Sequence, residues 1–177
     1  TALTTELTPT SALWQFVPQD STKGPPLLPR QQDIERGLGH AETPEEAATR
    51  RAHGVFTIEE GRAHWTAEEQ KLTAHQTAFA PIRAALSSNP QQFTQAEQTL
   101  IQQWATLLDK EADIIAAQRA RLDRHQTFLE GTFAGEGTEK PIQTFIRKEQ
   151  AFFTQVISFI ETVQLPFLET ALTTELT

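Results

Sequence analysis

The chain of 177 residues contains no cysteine, no methionine and no tyrosine. The missing thiols exclude disulfides, thiolate metal centres and thiol nucleophiles. With methionine and tyrosine absent as well, few side chains are open to oxidation. That suits an exposed, long-lived material as well as it suits compositional drift. The single asparagine, Asn89, is followed by Pro90, so this stretch holds no N-glycosylation acceptor. Positive charge is scarce: 15 Lys and Arg stand against 23 Asp and Glu, for a net charge of −8. Gripping phosphates needs a basic face, so nucleic acid is not an expected partner, and anionic membrane surfaces are disfavoured for the same reason. No secretory leader is visible and no apolar run approaches bilayer length, so no membrane span is expected.

What is present is a duplication. Thr1-Ala2-Leu3-Thr4-Thr5-Glu6-Leu7-Thr8 recurs letter for letter as Thr170-Ala171-Leu172-Thr173-Thr174-Glu175-Leu176-Thr177. The spacing, 170 minus 1, is 169 residues. Agreement at all eight positions is poorly explained by chance. A window slightly longer than one period of a tandem array produces it, as would an engineered end or a permutation. On the array reading, residues 1–8 are the helical end of a preceding repeat. Residues 9–42 form an extended Pro/Gly-rich arm, and residues 43–177 form a helical bundle.

The arm is punctuated by Pro9, Pro18, Pro25, Pro26 and Pro29 and shows no sustained hydrophobic period, although a short helix fits near Arg30 to Leu38. Trp14 and Phe16 stand out within it. A large aromatic left in water forgoes its burial, so this pair is expected to dock, either on its own domain or on a neighbouring copy.

Helical signals begin at Thr43-Pro44-Glu45-Glu46, a capping box with proline at the first helical position. The Thr-x-Glu-Glu pattern recurs at Thr57 and Thr66; each could start a helix, or all could lie on a broken one, and Gly54 and Gly61 weaken the interior so that a break is expected near Gly54. Val55, Ile58, Trp65, Leu72, Phe79, Ile82 and Leu86 then predict a buried stripe, with a kink at Pro81. A second long helix, capped by Thr94 and ended by Gly131, carries Ile101, Leu108, Ile115, Leu122 and Leu129 every seven residues. Leu100, Leu107, Ile114 and Phe128 run beside them, Arg121 breaks that second row, and Trp104, Glu111, Gln118 and His125 line one side. A third helix from near Thr138 bears Ile142, Phe145, Ile146, Phe152, Phe153, Val156, Ile157, Phe159, Ile160 and Val163. This arc is too wide for one neighbour and predicts the central helix of the bundle, bent at Pro166 and running on through the repeated octapeptide. The expected fold is therefore all-α: three long helices in a bundle, a shorter helix from Thr43 and an extended N-terminal arm.

Chemistry is harder to find. His53, His64 and His75 lie eleven residues apart and would share a face of an unbroken helix. Their axial spacing of about 16 Å is too great to hold one metal, so the choices are a pH-sensitive stripe or plain surface histidines. Glu-x-x-His pairs, His-Glu-x-x-His, phosphate-binding glycine loops and Gly-x-Ser-x-Gly do not occur. Glu111 and Asp113 read as solvated charges or a polar layer, within reach of Lys110 or Arg119. The phenylalanines of the third helix read as core or, less plainly, as the lining of an apolar ligand cavity. No catalytic residue, cofactor or metal is expected. The sequence points to a non-enzymatic repeat unit of a structural or scaffolding protein, with Trp14 and Phe16 meeting neighbouring copies or an unknown protein partner. The alternative is a lipid or apolar-ligand carrier processed from a polyprotein.

Overall fold

The computed structural model describes residues 27–174. Trp14, Phe16 and the first copy of the octapeptide lie outside them. Among the described residues the chain is all helical, with no strand. After an extended run at residues 27–30, α1 (Gln31–Leu38) closes on Gly39, and α2 (Pro44–Ala52) follows from the Thr43 cap. The turn between α2 and α3 (Ile58–Ser88) contains Gly54 at φ +79°, a left-handed geometry that glycine adopts without a Cβ penalty. This is the break that the sequence predicts. A short 3₁₀ turn at Pro90–Gln92 leads to α4 (Gln95–Leu129). The last helical stretch comprises α5 (Pro141–Phe159), a π-helical turn at Ile160–Gln164 and α6 (Leu165–Thr173).

Capping explains the helix starts. At Thr43, Thr57 and Thr94 the threonine hydroxyl accepts the backbone N–H three residues on, and the glutamate there returns a bond to the cap N–H. Thr66 starts nothing, because it lies inside the unbroken α3. Pro81 likewise does not end α3, which runs on to Ser88. Proline costs a helix one donor and crowds the carbonyl of the preceding turn. Near Pro166 the chain meets that demand with the wider π turn just before α6, which gives the backbone slack.

The core is built from rows that repeat every seven residues, and Val55, which the sequence puts on the buried stripe, stays exposed. Ile58, Trp65, Leu72 and Phe79 come from α3, Ile101, Leu108, Ile115 and Leu122 from α4, and Phe145, Phe152 and Phe159 from α5. Trp104 on α4 ties the remaining elements in, with its ring 4.7 Å from Phe79 of α3 and 6.4 Å from Phe167 of α6.

Two expectations about the third helix need correction. Its wide apolar arc does not make it central. α4 takes that place, flanked by α3 on one side and by α5, the π turn and α6 on the other. One flank of α5 faces α4, while Ile142, Ile146 and Ile157 on its other flank stay exposed. Second, the helix does not run through the whole octapeptide. It ends at Thr173, and Thr174 is extended. The expectation of no bilayer-length run also changes: Pro141–Thr173, continuous through the π turn, is long and apolar enough to cross a membrane by length and composition alone.

Candidate functional site

α4 delivers a polar column to the interior. Glu97, Glu111, Gln118 and His125 are spaced in multiples of seven, so one face of the helix carries them all, and all four are buried. Glu111 therefore belongs to a polar layer and not to the solvent. A central helix is covered on both sides, so its polar side has no water to face. Arg121, which interrupts the apolar row, is buried too, at 1% exposure.

At the C-terminal end of this column lies the most concentrated chemistry among the described residues. Glu149 of α5 is fully buried, on the face that also carries Phe145, Phe152 and Val156. Arg121 donates Nε to Glu149 Oε2 at 3.0 Å, and Arg124 donates Nε and Nη2 to Oε1 at 3.1 and 2.5 Å. His125 Nε2 stands 3.0 Å from Oε2, and its side chain is also fully buried. The Arg121 guanidinium lies 5.2 and 5.1 Å from the ring centroids of Phe152 and Phe153, a cation–π arrangement on both rings. Phe145 covers the imidazole at 5.0 Å and stacks in turn with Phe128 and Phe133.

Electrostatics sets the protonation states. Burial is the largest influence on Glu149 and pushes its pKa up. The His125 hydrogen bond, the Arg121 charge and the Arg124 bonds outweigh it and hold the carboxylate at about 2, so it is ionised. Burial pulls Arg121 below its ordinary value, with Glu149 opposing. Burial also pushes His125 below the usual imidazole value. Glu149 opposes that shift, while Arg121 and Arg124 reinforce it. The opposite ring nitrogen, Nδ1, accepts the backbone N–H of Leu28 at 2.9 Å. An imidazole that accepts at Nδ1 is neutral and carries its proton at Nε2, the nitrogen 3.0 Å from Glu149 Oε2.

A second charged cluster ties the short helices to α3. Arg50 donates to Glu42 at 2.8 and 2.9 Å and to Glu60 at 2.5 Å, and Arg51 reaches Glu60 at 2.9 Å. Burial raises the Glu60 pKa, but bonds from Arg50, the Thr57 N–H and Arg51 together bring it to about 2.

The residues singled out from sequence are dispersed. His53 follows the end of α2 and is exposed, whereas His64 and His75 lie on α3, so the break at Gly54 separates the first from the other two. His64 packs edge-on against Trp65 at 4.7 Å. Asp113 pairs loosely with Lys110 at 3.9 Å, and Arg119 bonds Glu69 of α3 and not Glu111. Glu136, in the glycine loop, pairs with Arg147 and Lys148 at 2.7 and 2.6 Å. Phe145, Phe152 and Phe159 are spent on packing. The α4–α5 groove beside Phe159 is a hollow of about 190 Å³, below the roughly 300 Å³ at which small-molecule pockets begin. Among the described residues no three histidine, aspartate or glutamate side chains group to hold a metal ion.

Sequence reasoning passed over Glu149 and the burial of its partners. The signal was present: an arginine in an apolar seven-residue row and a glutamate four residues after Phe145 on an otherwise apolar face. Comparison with known proteins returns no matching family model, no matching curated protein and no matching solved structure.

Proposed function

We propose that this chain is one unit of a tandem-repeat structural or scaffolding protein, without catalytic activity, whose stacked helices supply length and a repeated docking surface. The observation that carries this reading is the exact recurrence of the octapeptide at 169 residues. Within the described residues, the second copy begins inside α6, which ends at Thr173. The buried chemistry is consistent with this reading. Glu149 is engaged by Arg121, Arg124 and His125 and is sealed under Phe145 and Phe152, an arrangement that fixes register between helices and offers no opening to a substrate.

The exposed flank of α5, with Ile142, Ile146 and Ile157 at offsets of four and fifteen residues, is the surface that a neighbouring unit would cover. In this reading Trp14 and Phe16 supply aromatic anchors between units. We read Pro141–Thr173 as a helix of a folded domain and not as a membrane span, because its first half carries Arg147, Lys148 and the buried, paired Glu149. The test is a protein of two joined units compared with one unit by thermal denaturation. Two units should melt higher than one, as nearest-neighbour interfaces add stability. Trp14→Ala should remove that gain and leave the helicity of the single unit intact. Equal melting of the two-unit protein with and without Trp14 would overturn the proposed role.

A further inference from the structure

His125 is neutral because of what meets its two nitrogens, and one of those contacts lies on the chain that precedes the helices. Residues 27–30 run as a strap. The Pro29 carbonyl accepts the N–H of Ile58, the first residue of α3, at 2.8 Å. One residue earlier, the Leu28 N–H donates to His125 Nδ1 of α4. The strap thus bridges the start of α3 and the end of α4, and its attachment to α4 depends on an unprotonated ring nitrogen.

We propose that His125 is an acid-released latch: a proton added at Nδ1 breaks the bond to the Leu28 N–H and frees residues 27–30 from α4, while the helices remain packed. Once protonated, Nδ1 becomes a donor facing a donor, so the contact turns from attractive to repulsive. The other ring contact does not fail in the same step. Nε2 lies 3.0 Å from the ionised Glu149 Oε2, and the added positive charge strengthens that attraction. The groups facing the ring settle which bond gives way. From α5 there are Glu149 and the Phe145 ring. From α4 itself there are Arg121 and Arg124, which disfavour the added charge. From the strap there is only the Leu28 backbone.

The sign follows. In the closed form the His125 pKa lies below its ordinary value, chiefly through burial. With the strap released, the ring gains access to water and its pKa rises toward about 6.5. The closed form is therefore fully favoured above about 6.5 and loses ground as pH falls, with the opening constant rising by up to about tenfold per pH unit. Glu149 stays ionised until far lower pH, so strap release and loss of the buried cluster separate on the pH axis.

The test uses the full chain and nuclear magnetic resonance between pH 7.5 and 5.0. At pH 7.5 the His125 ring should be the neutral Nε2–H tautomer. Exchange protection of the Leu28 amide, corrected for intrinsic rates, should fall by up to about tenfold per pH unit below 6.5, with amides in the middle of α4 unchanged. In His125→Gln, whose side chain keeps an acceptor and a donor but does not titrate, that protection should be flat. The proposal is overturned by an Nδ1–H tautomer in the wild-type chain, by flat wild-type protection, or by the same fall in the glutamine variant. It is equally overturned if α4 loses protection together with the strap. None of these outcomes depends on whether the chain is repeated.

Discussion

Glu149 carries the largest electrostatic burden of any side chain in the interior. Two guanidinium groups and an imidazole converge on one carboxylate that water does not reach. Such a group contributes less to net stability than its contacts suggest, since desolvation offsets much of the attraction, but removing one partner is costly. Glu149→Gln leaves Arg121 buried without a counter-charge and should lower unfolding free energy by about 3–5 kcal/mol, measured by urea denaturation at pH 7. The pH dependence gives a second check. The folded-state pKa is depressed to about 2. Its stabilising contribution is therefore complete above the unfolded value near 4.5, and is lost as pH falls from there toward 2. Wild type should lose stability steeply across that window, and the glutamine variant should lose less. A parallel slope in both would show that other carboxylates carry the acid sensitivity. These residues were partly legible in advance. Arg121 is conspicuous as a break in an apolar row, whereas its burial is not, because an arginine at that spacing is as compatible with a solvated edge. That decision rests on α4 being enclosed from both sides, which is a property of the assembled helices.

Elements were easier to read than their arrangement. Capping boxes and hydrophobic rows are local, and they placed the starts of α2, α3 and α4 at Thr43, Thr57 and Thr94, as the structure has them. Of the two readings open at Thr66, the structure takes the one inside a helix, because flanking apolar residues continue the α3 row and burial overrides the local signal. The caps differ in weight. The Thr57 side chain is buried and its partner Glu60 also holds Arg50 and Arg51, whereas the Thr43 cap is exposed. Thr57→Ala should therefore cost more than Thr43→Ala, toward the upper end of about 0.5–2 kcal/mol, as read by thermal or chemical denaturation. Equal losses would mean that the Arg50–Glu60 cluster holds α3 without its cap. Which helix is central was not legible. The apolar arc of α5 is wide, but width records how much surface is apolar and not which neighbour covers it. α4 hides its polar column by satisfying it internally.

For the whole molecule, the unfinished business is the exposed flank of α5. Ile142, Ile146 and Ile157 are each close to half exposed, beside the face of α5 that packs in the core. Single exposed apolar residues need no explanation, but several aligned on one face do. Replacing Ile146 and Ile157 by Asp should change the stability of an isolated unit by no more than about 0.5 kcal/mol per site, as for ordinary surface positions. In a protein of two joined units the same changes should abolish any gain over one unit. A large loss in the isolated unit would instead show that this flank is covered within the chain itself. The central claim, that matched octapeptides mark one period of a repeating structural protein, is tested most directly by sequencing the parent reading frame on both sides of residues 1–177. The account predicts further copies in register every 169 residues, each with its Trp14 and Phe16 counterparts. A frame that holds this segment once would contradict it.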